Sequence, residues 1–153
     1  MKMPKFLSKL KHARGQSLVE LAISLTVILM LLSGAVDFGM AFFSYTALRD
    51  AAQEGAIYGS FNPSDVAGIV YHVRKASTNP VNLADTSKVR VDVSWTNGVT
   101  KACEGSVSGS TNSVAVNVRY TYPIIMPFLG LIIGSQSIPL DATVTDTILA
   151  PLC

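Results

Sequence analysis

Few side chains in this sequence are equipped for chemistry, and their spacing decides which chemistry is open to them. The histidines are His12 and His72 and the cysteines Cys103 and Cys153. No CxxC or HxxxH spacing occurs, so no metal centre is expected. The Gly/Ser-rich stretch EGSVSGSTN, Glu104 to Asn112, has Val107 at the middle of its glycines, and no strand-to-helix pattern surrounds it, so it is not a nucleophile elbow. Scattered serines and threonines, one histidine beyond the leader and acids without pairing do not supply a convergent nucleophile, base and electrophile. The chain is therefore read as a non-enzyme with no cofactor and no small-molecule substrate. The position that asks for an explanation is Glu20, in RGQSLVELAISLTVILMLL, behind a basic cluster and ahead of a long apolar run. A charge at mid-membrane costs about 2.5–3.5 kcal/mol and less near the interface, so a carboxylate there needs a use.

The element that positions Glu20 is a membrane-length helix. Among 153 residues 49% are hydrophobic and only 14% charged, with a mean hydropathy of +0.40, and this excess is localised. From Leu18 to Phe43 the only charges are Glu20 and Asp37. As a helix that stretch reaches about 39 Å, enough for a hydrocarbon core of ~30 Å. Asp37 is read as an interface marker reached by water. Five of the twelve basic residues (Lys2, Lys5, Lys9, Lys11 and Arg14) precede Glu20, so the positive-inside rule keeps the amino terminus cytoplasmic and exports the rest. What remains carries seven bases against ten acids, without a polybasic patch for nucleic acid. Beyond Phe43 the helix is expected to continue, with Tyr45, Leu48, Ala52 and Gly55 or Ala56 on one face and Ser44, Arg49, Asp50, Gln53 and Glu54 on the other.

Past Asn62, Pro63 and Ser64 a second helix is expected from Asp65 to about Ala76, with an apolar stripe of Val66, Ile69, Val70 and Val73 and with His72 solvated. Alternation marks three strands: Val89 to Trp95, Val114 to Tyr122, and Ile138 to Val144. Asn97-Gly98 signals a hairpin, and the stretch from Glu104 to Asn112 a flexible loop. The fold class is α+β, a long amino-terminal transmembrane helix continuing into an exported domain whose second helix packs on a small antiparallel sheet. The apolar, proline-broken YPIIMPFLGLIIG, Tyr122 to Gly134, is too short to span and is either core or an exposed patch. In an oxidising compartment Cys103 and Cys153 close a loop of about 50 residues, worth roughly 4 kcal/mol in the chain-entropy model; the alternative is two unpaired thiols.

The stretch from Gly15 resembles the processing site of type IV pilin-like proteins, in which a membrane prepilin peptidase cuts after a glycine and the fifth mature residue is a glutamate. Over residues 14–59 the chain is similar to the TadE-like pseudopilin family of tight-adherence (Flp) pilus systems. The matching elements are the basic residue and Gly15, Glu20, the Leu/Val-rich span, Asp37-Phe38-Gly39, and Ala51-Ala52-x-Glu54-Gly55-Ala56. Residues 119–148, with Tyr120-x-Tyr122-Pro123, are similar as well, and Leu21 departs from the aromatic many members carry. The resemblance implies cleavage between Gly15 and Gln16 and a place among other pilin-like subunits and the pilus assembly machinery. It divides the chain into a cleaved leader (1–15), a transmembrane helix and stalk (16–59) and an exported domain (60–153). The expected location is the cytoplasmic (inner) membrane, single-pass in membrane lipid, or a surface pilus. Cleavage would create an α-amine on Gln16 near Glu20, and pairing the two charges could set the stagger between packed helices. The rival reading is ordinary signal peptidase cutting after Ala35, in Ser33-Gly34-Ala35, to release a soluble domain.

Overall fold

The computed structural model describes residues 6–96, 112–126, 130 and 134–149, with side chains from Gly15 onward. In chain order the elements are α1 (Phe6–Phe61), α2 (Val66–Lys75), β1 (Val89–Trp95), β2 (Ser113–Pro123) and β3 (Ser137–Thr147). This is the expected α+β arrangement. Two compact units divide at Phe38 and Gly39, and each is described in turn.

In the first unit, α1 carries large aliphatics outward all round, from Leu18 at 68% exposure to Leu31 at 71%. Its most apolar window is wholly unburied, and the helix is long and apolar enough to cross a membrane. Thr26 is accommodated by returning its hydroxyl to the Ala22 carbonyl at 2.8 Å.

The second unit is built on the small residues of the rest of α1. Leu48, Ala51, Ala52 and Ala56 are fully buried among Ile69 and Val73 of α2, Val114, Val116 and Val118 of β2, and Val81, Leu83, Val89 and Ala142. Gly55 and Gly59 set how closely the layers approach. A Cβ on Gly55 would overlap the Val73 methyl, and one on Gly59 would press within 3.1–3.2 Å of Ile69 and Val114. The buried stripe runs through Ser44 and Leu48, whereas Tyr45 is exposed. Ser44 was expected on the wet face; its hydroxyl donates to the Met40 carbonyl at 2.8 Å, so it enters the core already satisfied.

Asp65 caps α2, accepting from the Gly68 amide at 2.9 Å. Of the expected stripe only Ile69 and Val73 are buried, while Val66 is exposed. The sheet order is β1-β2-β3, antiparallel throughout, with Val89 opposite Tyr120 and Ser113 opposite Thr147. Val114, Val116, Val118 and Tyr122 face the core, as their period of two requires. Long-range ties close the unit: Trp95 Nε1 donates to the Pro63 carbonyl at 3.1 Å, Arg74 Nη1 to that of Leu83 at 2.9 Å, and the Leu149 amide to that of Ser60 at 3.1 Å. Of the apolar stretch after β2, Ile124 and Met126 are buried and Ile125 is exposed. It continues the strand's alternation, anchored by the Ile124 amide on the Gln136 carbonyl at 2.9 Å. The Asn97-Gly98 hairpin, the loop up to residue 111 and the Cys103–Cys153 disulfide fall outside the described residues.

Candidate processing and assembly site

Gly15, Gln16 and Glu20 all lie on α1 and all are exposed. Four residues separate Gln16 from Glu20, one helical turn, so the two side chains share a face. A Cβ on Gly15 would meet nothing within 4 Å; its small size is not a packing demand of this chain. The apolar residues that follow are uncovered on every side, and Glu20 stands at the head of that surface. Asp37 differs from its expected wet setting, since it is only 6% exposed. A carboxylate so placed must be held by polar or charged groups, and Asp37 does have such a partner.

A second constellation gathers where α1 ends and α2 begins, and sequence reasoning missed it. Tyr58 stacks on His72 with ring centroids 4.3 Å apart and donates its hydroxyl to Asp65 at 2.8 Å. His72 Nδ1 lies 3.8 Å from Glu54, so His72 is engaged rather than simply solvated. Glu54 and Tyr58 are four apart before the Asn62-Pro63-Ser64 turn, Asp65 and His72 seven apart after it. Both spacings select one helical face, and the tight turn brings the faces together. The Gly68 amide, then the Tyr58 hydroxyl, and then the nearby His72 hold the Asp65 carboxyl below its ordinary value. A Cβ on Gly68 would overlap the Asp65 carboxylate and the Tyr58 ring and hydroxyl, so a larger residue there would displace this pair. Further along, the hydroxyl and amide of Ser87 lower Asp85 in the same manner.

The outer face of the sheet is polar. Arg119 on β2 bridges Asp92 on β1 and Asp141 on β3, at 3.4 Å each, while Asn117 donates to Asp141 and, at 2.7 Å, to Thr143. These exposed pairs register the strands and contribute little free energy individually. Among the described residues no three His, Cys, Asp or Glu side chains are placed to hold a metal ion.

Residues 15–56 match the family model described as TadE-like protein. The match begins at Gly15 and takes in Glu20, the exposed apolar helix, Asp37 and the Ala51–Ala56 element, in agreement with the resemblance drawn from those residues. No curated protein and no solved structure matches the chain.

Proposed function

We propose that this chain, TadE-like over residues 15–56, is a minor pilin-like subunit that a prepilin peptidase matures by cutting between Gly15 and Gln16. The observation that carries the reading is the uncovered apolar surface of α1 with Gly15, Gln16 and Glu20 at its head. Such a surface is stable in lipid or against similar helices, and exposed to water it is a liability. In this reading residues 1–15 are a cytoplasmic leader, held inside by their basic charge. Residues 16–59 are the span and stalk, and residues 60–153 an extracytoplasmic domain. Cleavage leaves an ammonium on Gln16, one turn from Glu20. Pairing within a subunit or with a neighbour's helix offsets the cost of the carboxylate in lipid and fixes axial stagger, a role suited to a sparsely placed buried charge. The protein then acts by assembly rather than catalysis.

Amino-terminal sequencing of the mature protein, with membrane fractionation, tests this. Gln16 as first residue, in the membrane fraction, is the expected result; Val36 in the soluble fraction would indicate ordinary signal peptidase, and a retained Met1 or Lys2 an unprocessed anchor. Gly15→Leu should run as the longer precursor on a gel. Glu20→Ala should remain membrane-bound yet lose pilus formation, and normal pili from that variant would sink the stagger argument.

A further inference from the structure

β1 and β3 are the outer strands of the sheet, and an outer strand presents a row of backbone donors and acceptors that a further strand can complete. The hydrogen bonds at the strand ends tell which residues present them. The Thr96 amide donates to the Ser113 carbonyl at 3.1 Å, so Asp92 and Ser94 bond inward to β2, while Val89, Val91, Val93 and Trp95 turn their backbone groups to the open side. On the other flank the Ile148 amide donates to the Asn112 carbonyl at 3.0 Å and the Ile124 amide to that of Gln136 at 2.9 Å. By the same alternation the odd-numbered residues of β3, Ser137 to Thr147, face outward.

Both rows are interrupted. On β1 the Val89 amide is held by the Asp85 carbonyl at 3.0 Å. On β3 the Ser137 amide is held by the Ser135 hydroxyl at 3.2 Å, Pro139 has no N–H to give, and the Thr147 amide is held by the Asp146 carboxylate at 2.8 Å. Among the described residues the outward donors left open are therefore Val91, Val93 and Trp95 on β1, and Asp141, Thr143 and Thr145 on β3.

We propose that a second copy of this chain adds its β3 to the open edge of β1, parallel to it, with Arg90 beside the partner's Asp141. In that register all the open donors of both edges are met. Val91, Val93 and Trp95 donate to the carbonyls of the partner's Asp141, the partner's Thr143 and the partner's Thr145, and those three amides donate in return to the carbonyls of Val89, Val91 and Val93. The ladder begins just past the occupied Val89 amide and the partner's Pro139. It ends where the partner's Thr147 amide is already taken.

Side chains select the same register. Arg90, still 75% exposed, stands beside the partner's Asp141, whose side chain is 55% exposed, and the Asp92 carboxylate stands beside the hydroxyl of the partner's Thr143. On the inner face the half-buried Val91 and Val93 gain the cover of the partner's Ala142 and the partner's Val144. A two-residue slip in one direction sets Asp92 beside the partner's Asp141, like charge against like. The opposite slip carries the amide of the partner's Asp141 past the start of β1, and a β1 to β1 pair leaves the open donors of β3 unmet. The pairing joins unlike edges, so it is open and can repeat. It concerns the second unit alone and stands whether or not Gly15 marks a cleavage site.

The test mixes two full-length chains in detergent micelles, one of them enlarged by a tag, both with Cys103→Ser and Cys153→Ser. One carries Ser94→Cys and the other Thr145→Cys, exposed uncharged positions that the proposed register sets side by side. Mild oxidation should give chiefly the mixed disulfide rather than either like pair. Arg90→Glu on the first chain should lower its yield about five-fold, and Asp141→Lys on the second should restore it. The mixed disulfide decides the pairing even where a charge variant unfolds, because its own substitutions leave every charge in place. An excess of the Ser94→Cys like pair, no disulfide at all, or a yield indifferent to Arg90→Glu in a chain that still melts cooperatively overturns the proposal.

Discussion

Two stretches of the same helix solve opposite problems. Between Leu18 and Leu32, α1 is Leu, Ile, Val and Met with nearly every side chain turned outward. Between Leu48 and Ser60 it is built on Ala, Gly and Ser, and those residues are buried by α2 and the sheet. Backbone geometry is the same in both, so residue size separates their tasks. Large aliphatics suit a solvent that adapts to them, as lipid does. Small residues suit a protein partner whose own backbone must come close. The Ala51–Ala56 element of the family match is thus a packing surface, with Glu54 alone among its matched residues turned to the exposed side.

Identical substitutions placed in the two stretches would break or sharpen that contrast. The largest effect belongs to leucine. Leu48→Ala removes a fully buried side chain and should cost about 2–5 kcal/mol of domain stability, read as a loss in the denaturation midpoint. Leu25→Ala should leave that midpoint unchanged, and equal losses would refute the division of labour. Glycine comes next. Gly55→Val should destabilise the second unit by about 1–3 kcal/mol through overpacking, while Gly39→Val, with open space around it, should not. The smallest effect concerns the end of α1, where Asp65 titrates. Its folded value is lowered, so its contribution is present above the ordinary carboxylate value and is lost as pH falls through the folded value. Asp65→Asn keeps a cap for α2 but cannot titrate. The difference in thermal midpoint between wild type and variant should therefore shrink on acidification, a profile that also subtracts the parallel titration of Asp85.

Regular elements were legible where periodicity was strong. All three strands follow from alternating apolar residues, valines in the first two and Ile138, Leu140, Ala142 and Val144 in the third, and Asn62-Pro63-Ser64 ended α1 where turn chemistry requires it. What stayed hidden depended on contacts between segments. Ser44 reads as polar, yet its hydroxyl is satisfied by its own helix, so polarity alone misassigned its face. His72 reads as solvated because its partners, Glu54 and Tyr58, lie across a turn on another helix. Asp37 reads as wet from its place at the end of the apolar run, yet it is buried. Gly15 and Glu20 were legible as a motif, and both are exposed on α1.

The order of synthesis gives the tie between Leu149 and Ser60 a further consequence. The stripe from Leu48 to Gly59 is made early and its α2 cover, Ile69 and Val73, follows closely, but Val114 and Val116 come more than fifty residues later, and Leu149, which closes on Ser60, lies beyond β3. Pairings so distant in sequence pay loop closure before they gain contacts, which slows folding. Until β2 and β3 are made that stripe is only partly covered, and the domain cannot lock before they pair. The small residues that allow close packing also limit the hazard of this delay, because alanine and glycine expose little apolar surface while they wait.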